Sequence, residues 1–241
     1  MSKKAQTKDL EIIIQILEGL YPEKRSKKKP GILDTLIATK LSQNTTDKTA
    51  AIAFGNLKRQ FKYWNEAASA SPALLKKLIK PCGLTNTKAT DIRVMLNNII
   101  KKHGNTDMKH LNKLSNDEIY SELTGYKGIG VKTASCVMAF ALGREVFPVD
   151  THIHRILNRI GIVRTKTPEE THNASEKIIP DKKKLGFHRN LIKFGRNVCK
   201  AQKPLCGVCA LYDYCGFNEK ENYYEIKQKG KENNFIILDS I

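Results

Sequence analysis

Apolar residues recur at helical spacing along nearly the whole chain. Three of the stripes are Leu33, Leu36, Ile37 and Leu41; Ile92, Met95, Leu96 and Ile99; and Ile153, Ile156, Leu157 and Ile160. Positions three and four apart share one face of an α-helix, whereas a half-buried strand alternates apolar and polar residues. The sequence has no convincing alternating run. It therefore predicts an all-α protein, with helices of roughly 10 to 20 residues separated by glycine, proline and asparagine turns.

The charge balance restricts the class of partner. Lysine and arginine number 42 against 24 acidic residues, which gives a formal net charge of +18. Such a balance favours phosphate backbones, and a membrane surface is the alternative. No segment approaches about 18 consecutive apolar residues, and the N-terminus lacks the apolar stretch of a signal peptide. We therefore expect a soluble intracellular protein that binds no membrane.

Two polar segments suggest boundaries in the chain. The run KRSKKKP at residues 24–30 follows a first predicted helix and is interpreted as a charged linker, with DNA contact or a targeting signal as alternatives. Beyond residue 215 the composition turns polar, and residues 218–241 are interpreted as a weakly ordered C-terminal tail.

A glycine corner, GYKGIGVKTA, occupies residues 125–134. Gly128 and Gly130 can supply the positive φ and the close backbone approach of a tight turn, and an apolar helix follows. The pattern predicts a helix, a hairpin and a second helix whose first amides can bind a DNA phosphate. A plain corner between two helices fits this stretch equally well. A P-loop fits worse because no GKS or GKT follows.

Lys132 falls in the first turn of the second predicted helix. The positive end of the helix dipole disfavours an ammonium there, so the expected pKa of the side chain is lowered. Lys132 is therefore a candidate nucleophile. In a chain with 42 basic residues, the alternative is a surface lysine that contacts a phosphate.

Asp150 stands where the N-cap of the helix containing Ile153 is expected. A capping carboxylate is held ionised by the amides that it accepts, and it can therefore stabilise a positive charge in a transition state. The sequence leaves a purely capping role and a catalytic role open. His152 and His154 are predicted to be structural, since their spacing is not that of a helical metal pair.

Four of the six cysteines fall within residues 199–215. Cys199, Cys206, Cys209 and Cys215 are separated by six, two and five residues. Four thiolates in one short loop can enclose a zinc ion or an iron–sulfur cubane, and the spacing differs from the paired motifs of zinc ribbons. A loop pinned by metal would hold Lys200 and Lys203 outward, toward a phosphate backbone.

Together these motifs resemble the endonuclease III family of helix–hairpin–helix DNA glycosylases. Three of them occur in the family's order: GIGVKTA at residues 128–134, PVDTHIHRILNR at 148–159 and the cysteine loop. The segments LIATKLSQNTTDKTA at 36–50 and CGLTNTKATDI at 82–92 also resemble the family. The resemblance covers residues 9–217, and its cysteine spacing is the most specific feature.

The resemblance implies roles for particular residues. It makes Lys132 the nucleophile and Asp150 the essential carboxylate, and it makes the four cysteines the ligands of a 4Fe–4S cluster. Gly128, Gly130 and Val131 of the hairpin, with Lys200 and Lys203, are expected to bind DNA. The hairpin departs from the family at Lys127, where proline is usual.

Two further positions are implied to fill the space left by an extruded base. Leu84 matches one of them, and Asn44 or Gln43 matches the other. The family commonly carries glutamine where Asn44 aligns, so both candidates stay open.

The resemblance also implies an architecture and an activity. A six-helix barrel is expected at residues 25–145, an iron–sulfur domain at 1–24 and 146–217, and an active site in the groove between them. The implied activity is removal of oxidised pyrimidines from duplex DNA, followed by strand cleavage at the abasic site through a lysine Schiff base. The expected partner is double-stranded DNA with damaged bases or abasic sites. The enzyme is expected to be a monomer in the cytoplasm of a prokaryote or the nucleus of a eukaryote.

Two other functions are compatible with the same motifs. One is a mismatch glycosylase of the same superfamily that removes adenine or thymine without cutting the strand, although such relatives usually lack a lysine at the position of Lys132. The other is a non-catalytic DNA-binding module in which the metal loop is only a structural staple.

Overall fold

The computed structural model describes residues 3–22, 29–226 and 233–241. These residues form α-helices joined by turns, and they contain no β-strand, so the predicted all-α class is confirmed. The helices are α1 (Lys3–Leu20), α2 (Ile32–Ser42), α3 (Asp47–Gln60), α4 (Trp64–Ser69), α5 (Pro72–Leu78), α6 (Thr85–His103), α7 (Asn116–Thr124), α8 (Val131–Cys136), α9 (Thr151–Arg159), α10 (Pro168–Ser175) and α11 (Lys184–Asn197). A π-helical segment, Val137–Leu142, continues α8. Among the described residues, no helix combines the length and the apolar character needed to cross a membrane.

The chain divides into two compact units. Unit 1 contains Met1–Arg25 and Glu145–Asn234, and unit 2 contains Ser26–Arg144 and Phe235–Ile241. Most of the segment predicted to form a barrel, residues 25–145, lies in unit 2. The charged linker predicted at 24–30 lies mostly outside the described residues.

The core of unit 2 is built around α2. Leu36, Ile37 and Leu41 have no exposed surface, and the helix packs against α3, α6 and α8. The predicted stripe of α6, from Ile92 to Ile99, is also buried. Burying one such side chain contributes about 1.5–3 kcal/mol, so these stripes supply much of the driving force that fixes the helices.

The core of unit 1 joins the N-terminal helix to the C-terminal half of the chain. Ile13 and Leu17 of α1 are buried where that helix packs on α11, and Phe187 and Phe194 of α11 are buried as well. Helix α9 packs on α10 and α11, and its predicted stripe, Ile153 to Ile160, is buried.

The C-terminal residues differ from the tail expected at 218–241. A 3₁₀ turn, Lys220–Tyr223, packs on the cysteine loop, where the Tyr212 and Tyr224 rings meet edge to face at 5.5 Å. Farther on, the described residues 235–241 pack in unit 2, with Ile236 and Ile237 buried and the Ile237 amide donating to Asp47 Oδ2 at 3.0 Å. Because residues 218–241 are polar on average, their composition did not reveal the few apolar and aromatic side chains that pack these segments onto the rest of the protein. Residues 227–232 lie outside the described part.

Candidate active site and cysteine loop

Helices α7 and α8 form the predicted helix, hairpin and helix. Helix α7 begins with a capping box in which Ser115 Oγ accepts from the Glu118 amide and Glu118 accepts from the Ser115 amide. The hairpin that follows is closed by the Ile129 amide, which donates to the Tyr126 carbonyl at 3.0 Å. Both of those side chains are buried, so the tip of the hairpin is fixed on the core.

The two hairpin glycines have different conformations. Gly128 has φ +80°, as expected for a tight turn, but Gly130 has φ −99° and ψ 178°, which any residue adopts. Sequence reasoning was therefore right for Gly128 and wrong for a positive φ at Gly130. A Cβ at position 128 would lie 2.5 Å from Lys40 Nζ, whereas a Cβ at position 130 would have no heavy-atom neighbour within 4 Å among the described residues beyond its chain neighbours. Lys40 itself is buried and forms an ion pair with Asp91 at 2.7 Å.

Exchanging each glycine for alanine separates these two environments. We expect Gly128→Ala to lower the free energy of unfolding by about 1–2 kcal/mol, because a left-handed backbone disfavours a Cβ and Lys40 must move. Gly130→Ala is the matched control and is expected to stay within about 0.5 kcal/mol of the wild type. Urea denaturation measures the free energy of unfolding of both variants. Equal losses would contradict the different backbone conformations and surroundings described for Gly128 and Gly130.

Lys132 is the second residue of α8, so its predicted place in the first turn is confirmed. Helix α8 begins at Val131 with Gly130 as its N-cap, and Gly130 offers no side chain to cap the helix amides. Lys132 is half-buried, whereas Lys127, earlier in the same hairpin, is exposed. The hairpin thus holds Lys132 half-buried at the start of α8.

Asp150 caps α9, as predicted. Its Oδ1 accepts from the amides of His152 at 2.9 Å and Ile153 at 3.0 Å. The carboxylate is half-buried and directed at the start of the helix. Lys132 lies in unit 2 and Asp150 in unit 1. The two histidines of the motif hydrogen-bond within unit 1, His152 with Arg155 and His154 with Thr171.

Two of the residues expected to fill the space left by an extruded base share an uncommon backbone conformation. Asn44 has φ 53° and Leu84 has φ 48°, both in the left-handed region that non-glycine residues rarely occupy. Leu84 is 58% exposed although it is a large apolar residue, and Asn44 is also exposed. Gln43, at the end of α2, is half-buried with an ordinary φ of −60°. Backbone strain and an exposed apolar tip are features that often mark functional positions.

Lys88 ties these two loops together, and sequence reasoning did not identify it. Its Nζ donates to the Leu41 carbonyl at 2.8 Å and to the Cys82 carbonyl at 2.9 Å, next to the residues that lead into Asn44 and Leu84. The side chain is 2% exposed, and this burial lowers the pKa of Lys88. A signal was available, since Lys88 lies four residues before Ile92 and so extends the buried stripe of α6.

The four cysteines lie in a series of tight turns after α11. The Cys199 amide donates to the Phe194 carbonyl at 2.9 Å, and the Cys209 amide donates to the Cys206 carbonyl at 3.1 Å. The Cys215 amide donates to the Tyr212 carbonyl at 3.1 Å. Short-range bonds of this kind wind the segment into a compact loop in unit 1.

Three cationic side chains hold the outside of the loop. Arg155 donates to the Cys199 carbonyl at 2.7 Å, and Arg159 donates to the Lys200 carbonyl at 2.7 Å. Lys220 donates to the Tyr212 and Cys215 carbonyls at 3.0 and 3.1 Å. Sequence reasoning missed these contacts, although Arg155 and Arg159 are four residues apart in the PVDTHIHRILNR motif. The cations fix the loop backbone and offset negative charge on the sulfurs.

The donor set fits an iron–sulfur group. Burial, followed by the charges of the other three cysteines, raises the pKa of Cys209 to about 12. Burial and neighbouring thiols also raise the pKa of Cys206 and of Cys215. The compact loop nevertheless brings four cysteines together in unit 1, and Fe–S clusters are held by such a set of four cysteine thiolates.

The two lysines expected on the outside of the cysteine loop differ in exposure. Lys203 is exposed and has φ 49°. Lys200 is half-buried, and its carbonyl is the acceptor for Arg159. The predicted outward orientation is thus clearest for Lys203.

Comparison with known proteins agrees with these features. The profile of the HhH-GPD superfamily of base excision DNA repair proteins matches residues 37–181, and that of the iron–sulfur binding domain of endonuclease III matches residues 199–215. An endonuclease III of Thermotoga maritima is 34% identical over 205 residues, which are 85% of this chain and 92% of the relative.

Two solved structures show the same fold with DNA. A non-covalent endonuclease III–DNA complex superposes with a TM-score of 0.77 at 26% identity, covering 90% of this chain and 97% of that chain. A trapped endonuclease III–DNA covalent intermediate superposes with a TM-score of 0.76 at the same identity and coverage.

The chain belongs to the HhH-GPD superfamily of base excision DNA repair proteins. Within it, the cysteine loop and the identity over most of the chain place the protein in the endonuclease III family, which confirms the resemblance seen in its motifs. It is therefore a DNA repair glycosylase with an iron–sulfur binding domain.

Proposed function

We propose that this glycosylase removes oxidised pyrimidines from duplex DNA and then cleaves the abasic site through a Schiff base on Lys132. The observation that carries the proposal is the partly shielded lysine in the first turn of α8, directly after the hairpin. A trapped covalent DNA intermediate of an endonuclease III with the same fold supports the covalent route.

Recognition would begin at the DNA backbone and at the stacked bases. The first amides of α8, which follow the exposed Gly130, would bind a DNA phosphate. A damaged pyrimidine costs least to extrude from the duplex, and the sugar C1′ is reachable only after extrusion.

We propose that Leu84 and Asn44 fill the vacated stack, because both are exposed on strained loops that Lys88 holds together. Lys203, with Lys200, would add backbone contacts.

The chemistry would start with attack by the neutral Lys132 amine on C1′. A bond forms between Nζ and C1′ while the C1′–N1 bond breaks, and its electron pair leaves with the base. Nζ then loses a proton, and its lone pair forms a C=N bond to C1′ as the C1′–O4′ bond breaks. O4′ takes up a proton, and the product is a protonated imine, the Schiff base. Removal of a proton from C2′ expels the 3′ phosphate, which leaves a nicked strand.

Asp150 would stabilise positive charge on the sugar or accept the proton from Lys132. Asp150→Asn is expected to lower the rate of base release by about 10²–10³-fold, because it removes the charge. Stability should change by less than about 0.5 kcal/mol, because asparagine caps a helix as well as aspartate does. Single-turnover kinetics and urea denaturation measure the two effects. Asp150→Ala is the control that should also lose about 1 kcal/mol of stability, and an active Asp150→Asn would leave Asp150 with only its capping role.

We further propose that Cys199, Cys206, Cys209 and Cys215 hold a 4Fe–4S cluster, which would fasten the loop that carries Lys200 and Lys203. The match of residues 199–215 to the iron–sulfur binding domain of endonuclease III and the three cations around the loop support this assignment.

A panel of duplexes tests the function directly. The panel contains thymine glycol, an abasic site, an A·G mismatch and a G·T mismatch, each incubated with the protein and borohydride. We expect trapping on the thymine glycol and abasic duplexes. Release of adenine or thymine from a mismatch without trapping would favour a monofunctional mismatch glycosylase. Tight binding with neither release nor trapping would favour a DNA-binding module.

A further inference from the structure

Unit 2 contains a cluster of side chains of the kinds that can bind a metal ion. It contains His103 at the end of α6, His110 in the 3₁₀ turn Lys109–Lys113 and Glu122 in α7. One ligand atom from each residue lies within 4.8 Å of the other two. Three separate elements thus converge on one point just before the hairpin.

Both imidazoles are directed at the same carboxylate oxygen. His103 Nε2 lies 3.1 Å from Glu122 Oε1, and His110 Nε2 lies 2.8 Å from it. In a tetrahedral zinc site with ligands at about 2.0–2.1 Å, neighbouring ligand atoms are about 3.3 Å apart. The two His–Glu separations are slightly shorter than this distance, and all three ligand atoms lie within 4.8 Å of one another, so a cation could bind with small adjustments.

The other carboxylate oxygen is already oriented by a different partner. Lys102 Nζ lies 3.2 Å from Glu122 Oε2, which leaves Oε1 to the two histidines. Outer contacts of this kind fix the orientation of a metal-binding carboxylate. Tyr126 Oη lies 3.3 Å from His103 Nε2, and burial raises the pKa of Tyr126 to about 12, so the phenol stays neutral.

Simple ion pairing explains the cluster less well. The rings of His103 and His110 stack with centroids 4.3 Å apart and planes 27° apart, so two imidazolium ions would repel each other strongly at this distance. A bound cation would take both imidazoles in the neutral form and would so avoid this repulsion. The side chains are 17%, 34% and 11% exposed for His103, His110 and Glu122, so an ion from solvent can reach them.

We propose that His103, His110 and Glu122 form a divalent-cation site selective for Zn²⁺ over Mg²⁺, with water as the fourth ligand. Two imidazoles and one carboxylate suit zinc, whereas Mg²⁺ prefers oxygen ligands. The ion would join the end of α6 and the 3₁₀ turn to α7, and so brace the helix that leads into the hairpin. This site does not depend on the proposed chemistry at Lys132.

The test is a titration of the cluster-loaded protein with Zn²⁺, followed by calorimetry and by iron analysis. The wild type should bind one Zn²⁺ while keeping its iron, and Mg²⁺ should not compete. His110→Asn should weaken Zn²⁺ binding by more than about 10-fold, since even loss of an outer-shell partner costs 10–100-fold. Lys109→Asn is the matched control, because Lys109 is an exposed neighbour of His110 in the same turn. This variant is expected to bind Zn²⁺ with the affinity of the wild type.

A second variant keeps the test decisive if His110→Asn fails to fold. Glu122→Gln keeps the shape of the side chain but removes its charge, and it should also weaken Zn²⁺ binding by more than about 10-fold. The proposal is overturned if the wild type shows no saturable Zn²⁺ binding or if bound Zn²⁺ appears only as iron is lost. It is equally overturned if both variants bind Zn²⁺ with the affinity of the wild type.

Discussion

Lys132→Gln is expected to abolish nicking of abasic DNA, with a loss on the order of 10⁴-fold or more, because the proposed covalent step has no nucleophile without this amine. Affinity for the same DNA should fall only slightly. One lysine among many contributes about one phosphate contact, so the salt dependence of binding should decrease by about one unit at most. Gel-based nicking and fluorescence anisotropy on one oligonucleotide measure the two quantities.

Lys127→Gln is the matched control for this experiment. It removes the same charge from the same hairpin, but the side chain is exposed and lies in the turn between Tyr126 and Ile129. We expect nicking by this variant to stay within a few-fold of the wild type. If Lys132→Gln lost affinity and nicking in equal measure, its role would be that of a phosphate contact, and the proposed chemistry would be wrong.

Cys206→Ser is expected to have the largest effect on stability. Metal binding and folding are coupled, so loss of one of four thiolates should remove the broad visible absorbance of the cluster and destabilise unit 1. Cys206 is buried at the start of the 3₁₀ turn Cys206–Val208, within the loop proposed to hold the cluster. Absorbance, iron content and thermal unfolding provide the measurements.

Cys82→Ser is the matched control for the cysteine experiment. The Cys82 sulfur is buried in unit 2 and donates to the Ile79 carbonyl at 3.0 Å, a bond that serine can keep. This variant should retain the iron and the visible absorbance. A Cys206→Ser protein with full iron content would show that Cys206 is not a ligand.

Local signals in the sequence predicted much of the fold and several site positions. Apolar spacing placed the buried faces of α2, α6 and α9, since a helix must bury its stripe. The order of helix, hairpin and helix around Gly128 followed from turn chemistry, and Asp150 was predicted as the cap of α9 because its position precedes an apolar stripe. Each of these features depends on residues close together in the chain.

Features set by distant contacts were missed. Lys88 bonds a carbonyl 47 residues away, and nothing near it in sequence shows that partner. The two-glycine motif suggested a positive φ at Gly130 as well as at Gly128, but Gly130 has φ −99°. The packing of residues 235–241 against unit 2 depends on two apolar side chains and on Asp47. Composition averaged over the segment hid that anchor.

The amino group that bonds to the sugar is best identified by mass spectrometry of the borohydride-trapped complex. After nuclease and trypsin digestion, the sugar remnant is expected on Lys132, within fragment 128–144 with a missed cleavage, because trypsin does not cut at a modified lysine. A remnant on any other lysine or on the N-terminus, with Lys132 unmodified, would contradict the account.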